Sequence, residues 1–99
     1  MDTTLELVKY LYKPAADSAV IVKVLQDLGA VPFCKTNVPQ GIISISGTNP
    51  IFGTTTNAHN PKLSAGGSSA GTGALVGAGG APFGTGTDVS DTLKRIKPN

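Results

Sequence analysis

A chain of 99 residues with a formal charge of +2 is one domain at most, and that charge is too small to point to nucleic acid or an anionic membrane. A chain of this size hides only ~60–65% of the surface its unfolded form exposes, and with no Trp and 13 Gly it is short of core-forming side chains. Charged residues at 14% and a mean hydropathy of +0.09 exclude a disordered segment, so the composition reads as an interior piece of a larger protein.

The basic cluster Lys94, Arg95 and Lys97 at the end of the chain reads as a solvated tail. Cys34 is the single cysteine, which rules out an intrachain disulfide and leans toward a reducing compartment. The opening MDTTLE carries Asp2 and Glu6 and no run suited to a signal peptide. No stretch approaches the ~18 uninterrupted apolar residues of a membrane span. A cytoplasmic product is the expectation.

In chain order, Leu5, Leu7, Val8 and Leu11 have the spacing of a short helix that Pro14 closes. Asp17–Leu28 is the clearest helix, with Asp17 or Ser18 as its cap and Ile21, Val24, Leu25 and Leu28 on one face. Gly29 stands where a helix end calls for positive φ. The apolar run Ala30–Asn37 predicts a strand, so helix, glycine turn and strand form half of an α/β unit. Residues 38–64 are rich in Gly, Pro, Asn, Ser and Thr and read as a loop with one helical turn, long enough to be functional. Small uncharged residues from about Ala70 to Gly79 predict a buried helix able to approach its neighbours closely, and Pro82–Asp88 predicts a second strand leading into a turn.

Nine of the glycines fall between Gly66 and Gly86, and four readings compete for them. A phosphate loop needs a Gly-Lys pair, which the chain lacks, and no G-x-G-x-x-G is completed at Gly71 or Gly84. GSSAG, Gly67–Gly71, satisfies the nucleophile-elbow pattern with Ser69 as nucleophile. That elbow needs a strand before it and a histidine after the acid. NPKLSA is a poor strand, and His59, the one histidine, precedes the serine in a loop. The elbow cannot be completed within these residues.

The fourth reading joins more of the chain. GGSSAG, a Gly/Ala helix and GTGTD, preceded by GAVPFCKTNVPQ and TNPIFGTTTNAHNP, together resemble the amidase signature family of serine hydrolases, and its fatty acid amide hydrolase branch most. The resemblance covers Asp17–Asp88, with 1–16 a divergent start and 89–99 a divergent end. It implies an α/β fragment of a larger fold in which a mixed central sheet is covered by helices. The implied activity is hydrolysis of an amide or ester, fatty acid amides included, with no metal and no cofactor. The implied partner is a small amide or lipid amide substrate. The intact family enzyme can also associate with membranes.

In that family a serine attacks the carbonyl, and its proton passes through a second serine to a neutral lysine, a variant of triad logic. The resemblance assigns the bridging serine to Ser68, with a cis peptide bond before it, and an ordering role to Ser69. The nucleophile follows GTD-x-GG-S in the family. Carried over without a gap, its position is Thr92, and Ser90 and Asp91 stand in place of the paired glycines. The oxyanion-hole turn then runs from Val89 to Thr92.

Three departures are expected to disable the relay. The family lysine lies on a strand upstream of this start, and Lys9 and Lys13 are outside its motif; losing a triad member can cost about a millionfold in turnover. Asp91 puts a carboxylate near a developing oxyanion, a repulsion of roughly 3 kcal/mol at ~5 Å and an effective dielectric of 20. Thr92 is β-branched and stiff at χ1. The expectation is a truncated or degenerate amidase that is inactive as it stands. The alternative is a non-catalytic product that binds an intact paralogue.

Overall fold

A computed structural model describes residues 3–87. The N-terminal stretch does not form the expected helix over Leu5–Leu11. Leu5 and Glu6 have φ of 49° and 55°, outside the right-handed helical region. The Thr4 hydroxyl accepts the Glu6 N–H at 3.1 Å, and only the short 3-10 turn Val8–Tyr10 follows.

Helix α1, Val20–Asp27, is shorter than its sequence pattern. Neither Asp17 nor Ser18 caps it; Ala19 occupies that position without a side-chain bond. The Asp17 carboxylate is engaged elsewhere, paired with Lys23 at 2.6 Å and accepting the Ser18 N–H at 2.8 Å. The Lys23 ammonium and then that N–H hold its pKa below the ordinary aspartate value. The helix ends as expected. Gly29, at φ 92°, lets the Gly29 and Ala30 amides turn back to the carbonyls of Gln26 and Leu25, both at 2.9 Å, which closes a Schellman motif.

Ala30–Asn37, expected as a strand, takes no regular secondary structure and pairs with no strand among the described residues. Its anchoring is by side chains and single backbone bonds at its Asn37 end. The long loop is more ordered than its composition implies. It holds the turn Gln40–Ile42 and an antiparallel hairpin of β1, Thr48–Asn49, and β2, Gly53–Thr54. An isolated bridge joins Thr56 to Ser64, with Asn57 closing the intervening turn by accepting the His59 N–H at 2.9 Å.

Helix α2, Ala70–Gly77, confirms the small-residue helix but stops two residues earlier than expected. Gly79, at φ 72°, ends it with the same double bond pattern, to Val76 and Leu75. Only Ala70 and Gly71 of this helix are buried. Beyond it, 82–87 forms no strand and is exposed, since no neighbouring strand is present to pair with it among the described residues. Asp88 and residues 89–99 lie outside them.

The apolar interior is small. Among the described residues, Ala65, Ala70 and Ala81 are the buried apolar ones, Pro39 is the largest fully buried side chain, and Val20, Leu28, Val31, Ile43 and Ile45 are exposed. At ~25 cal/mol per Å² of apolar surface buried, three alanines and a proline contribute far too little to hold the chain as one cooperative unit. Thermal and urea melts of the 99-residue chain are therefore expected to be broad, with helix ellipticity and amide exchange reporting different midpoints. A sharp transition coincident in both probes would refute this reading.

Candidate serine pair and its asparagine clamp

The serine pair lies in the turn that feeds α2, and the close packing there comes from glycine. The Gly67–Ser68 peptide bond is cis, as the resemblance implies. A Cβ on Gly67 would stand 2.6 Å from the Ser44 carbonyl oxygen and 2.7 Å from the Ser46 nitrogen. On the far side of the pair, a Cβ on Gly71 would collide with the Asn37 nitrogen and sit 2.7 Å from the Asn37 carbonyl oxygen. Backbone packs directly on backbone at both flanks, so neither position has room for a side chain.

The two hydroxyls are in different environments. Ser69 is 7% exposed. Its Oγ accepts the Thr87 N–H at 3.0 Å and donates to the Thr87 carbonyl at 3.2 Å, which occupies its single proton. Ser68 is half-buried, and its hydroxyl has no hydrogen bond among the described residues. Three residues along, the Thr72 hydroxyl donates to the Thr85 carbonyl at 3.0 Å. The Thr36 hydroxyl, 2.9 Å from that of Thr72, must therefore act as donor toward it. These bonds take the place of the strand expected over 82–88.

Asparagines that the sequence reading passed over hold the other side of the turn. The two protons of Asn37 Nδ2 are shared among Thr55 Oγ1 at 2.9 Å and, at 3.3 Å each, the carbonyls of Gly47 and Gly53. Asn49 Nδ2 donates to Asn37 Oδ1 at 2.5 Å and to the Val38 carbonyl at 2.8 Å. Its own Oδ1 accepts the Ile51 and Phe52 amides at 3.0 and 2.7 Å. Asn49 is 4% exposed, so this full satisfaction is what makes its burial tolerable. The Asn37 carbonyl accepts the Gly71 N–H at 2.9 Å, satisfying one of the donors that a helix start leaves open. The Thr-Asn pair, at Thr36–Asn37, Thr48–Asn49 and Thr56–Asn57, was the signal available, and only its first two copies enter this network.

His59 is exposed in its loop, away from the serine pair's hydrogen bonds. Among the described residues no group of His, Cys, Asp and Glu is arranged to hold a metal ion, and no helix is long and apolar enough to cross a membrane. Val89, Ser90, Asp91 and Thr92, expected from the resemblance to form the nucleophile turn, fall outside the described residues.

A family model for amidases matches residues 1–93. The chain belongs to the amidase family. Among curated proteins it is 47% identical over 93 residues to fatty acid amide hydrolase 1 of Caenorhabditis elegans, covering 94% of this chain and 16% of that one. It is 48% identical over 93 residues to the Sus scrofa fatty-acid amide hydrolase 1, with the same coverage of 94% and 16%. Amidase 1 of Gibberella moniliformis is 44% identical over 94 residues, covering 95% of this chain and 18% of that protein. The chain thus spans about one sixth of the length of such relatives. In this amidase-family chain the two helices and the small two-stranded sheet are consistent with an α/β architecture.

Proposed function

We propose that residues 17–92 are the serine-bearing segment of an amide hydrolase that cleaves small or lipid amides through a serine–serine–lysine relay. In the whole enzyme the segment lies within a mixed sheet covered by helices. Ser68 carries the proton between nucleophile and lysine, Ser69 orders the segment, and Thr92 occupies the nucleophile position with Val89, Ser90 and Asp91 as its turn. The observation that carries this assignment is the unequal state of the two hydroxyls. Ser69 spends its proton on the Thr87 carbonyl at 3.2 Å and is buried, whereas Ser68 is half-buried with its proton uncommitted among the described residues. A proton relay needs a hydroxyl that can accept from one neighbour and donate to another, and Ser68 is the one of the pair with that freedom.

The lysine of the relay has no counterpart in this segment, so the 99-residue chain is proposed to have no amidase activity of its own. The test replaces the corresponding segment of the C. elegans relative with residues 17–92. The graft is expected to be inactive on an oleamide-like substrate as it stands. The triple change Ser90→Gly, Asp91→Gly and Thr92→Ser is expected to restore turnover, because it returns the turn, the backbone donors and an unbranched hydroxyl. Full activity in the unmodified graft, or none in the triply changed one when it is folded, would overturn the assignment.

A further inference from the structure

We infer that Asn37 is the positioning residue of the Ser68 turn, acting through both of its flanks; its catalytic meaning rests on the role proposed for Ser68. On the downstream flank, the Asn37 carbonyl holds the Gly71 N–H at 2.9 Å, three residues after Ser68. On the upstream flank, the Gly67 backbone lies against Ser44–Ser46. The next residue, Gly47, presents its carbonyl to Asn37 Nδ2 at 3.3 Å and to the Thr55 N–H at 2.9 Å. One asparagine thus ties together the segment that packs on Gly67 and the helix that starts after Ser69.

The chemistry selects an amide at this position. Gly47 and Gly53 offer carbonyls, which can only accept, so the group facing them must be an N–H donor. Asn49 Nδ2 approaches from the other side at 2.5 Å, so the second terminal atom must be an acceptor. A side chain with a donor and an acceptor on one planar carbon meets both demands. An aspartate has the same shape and keeps the acceptor, but its carboxylate loses every donor while ionised.

Asn37→Asp in the 99-residue chain, followed by amide exchange corrected for intrinsic rates, tests the inference directly. At neutral pH the variant should lose roughly 10- to 100-fold protection at the Gly71 and Thr55 amides, as expected for buried acceptors left without donors. The α1 amides should not change. As pH falls and the new carboxyl gains a proton, one donor returns and part of the protection should return with it. Asn37→Ala should lose the same protection at every pH.

Four outcomes would overturn the inference. One is loss of protection in Asn37→Asp that does not depend on pH, which would mean a packing role alone. A second is loss spread equally over α1, which would mean general unfolding. A third is loss at Thr55 with Gly71 untouched, which would confine the clamp to its own loop. The fourth is absence of protection at Gly71 in the unaltered chain. Exchange requires neither the lysine nor Thr92. A folded graft that stays inactive after the triple change, beside the expected exchange pattern, therefore overturns the hydrolase reading and leaves the clamp standing.

Discussion

Ser68→Ala, made in the reactivated graft, is expected to lower kcat by about 1,000-fold, within the range that a positioned proton-transfer group contributes. KM should stay within about twofold, because the hydroxyl is assigned to the relay and not to substrate binding. Ser69→Ala should cost only about tenfold. It removes two neutral hydrogen bonds to Thr87, at 3.0 and 3.2 Å, and Thr87 is exposed, so water can satisfy both backbone groups. The pair of variants discriminates because the two side chains are adjacent and chemically identical. If Ser69→Ala is the fatal change and Ser68→Ala the mild one, GSSAG is a nucleophile elbow after all, and the relay assignment fails.

Gly71→Ala is the substitution expected to damage the structure most. Its Cβ would collide with the Asn37 nitrogen and lie 2.7 Å from both the Asn37 oxygen and Thr36 Cβ. Backbone cannot rotate aside as a flexible side chain can, so the cost should be near the upper end of overpacking, about 3 kcal/mol. Part of that is the Gly71–Asn37 hydrogen bond at 2.9 Å, which must lengthen as the segments separate. Exchange of the α2 amides should accelerate about 100-fold, or to the unprotected rate where protection is smaller. Gly77→Ala is the matched control in the same helix. Its Cβ would meet Ala58 Cβ at an ordinary 3.7 Å, so it should stabilise the helix by about 0.5–1 kcal/mol through lower backbone entropy. Equal behaviour of the two variants would mean that α2 does not rest on Asn37.

The elements most legible in the sequence are those settled by local backbone chemistry. Both helices were readable, α1 from its apolar spacing and α2 from its run of small residues. Gly29 marked the end of α1 because a Schellman turn needs positive φ, a demand met within a few residues. The serine pair was legible through its resemblance to the amidase family, to which the match over residues 1–93 assigns the chain.

The expected strands Ala30–Asn37 and Pro82–Asp88 show where local reading stops. A strand exists only when a second strand supplies its hydrogen bonds, and no partner for either is present among the described residues. Residues 82–87 are held instead by the hydroxyls of Ser69 and Thr72. Asp17 does not cap α1 for a related reason: its carboxylate is paired with Lys23 at 2.6 Å.

From the residues alone came α1, α2, the glycine end of α1 at Gly29 and the family. Folding alone sets the Ser69 hydroxyl on Thr87 while that of Ser68 has no hydrogen bond among the described residues, and joins Asn37 and Asn49 in one clamp. Those facts depend on residues 12 to 34 positions apart in the chain, Asn37 with Asn49 and with Gly71. Composition and spacing cannot report them, because a hydroxyl or an amide takes its role from the donors and acceptors that folding brings to it.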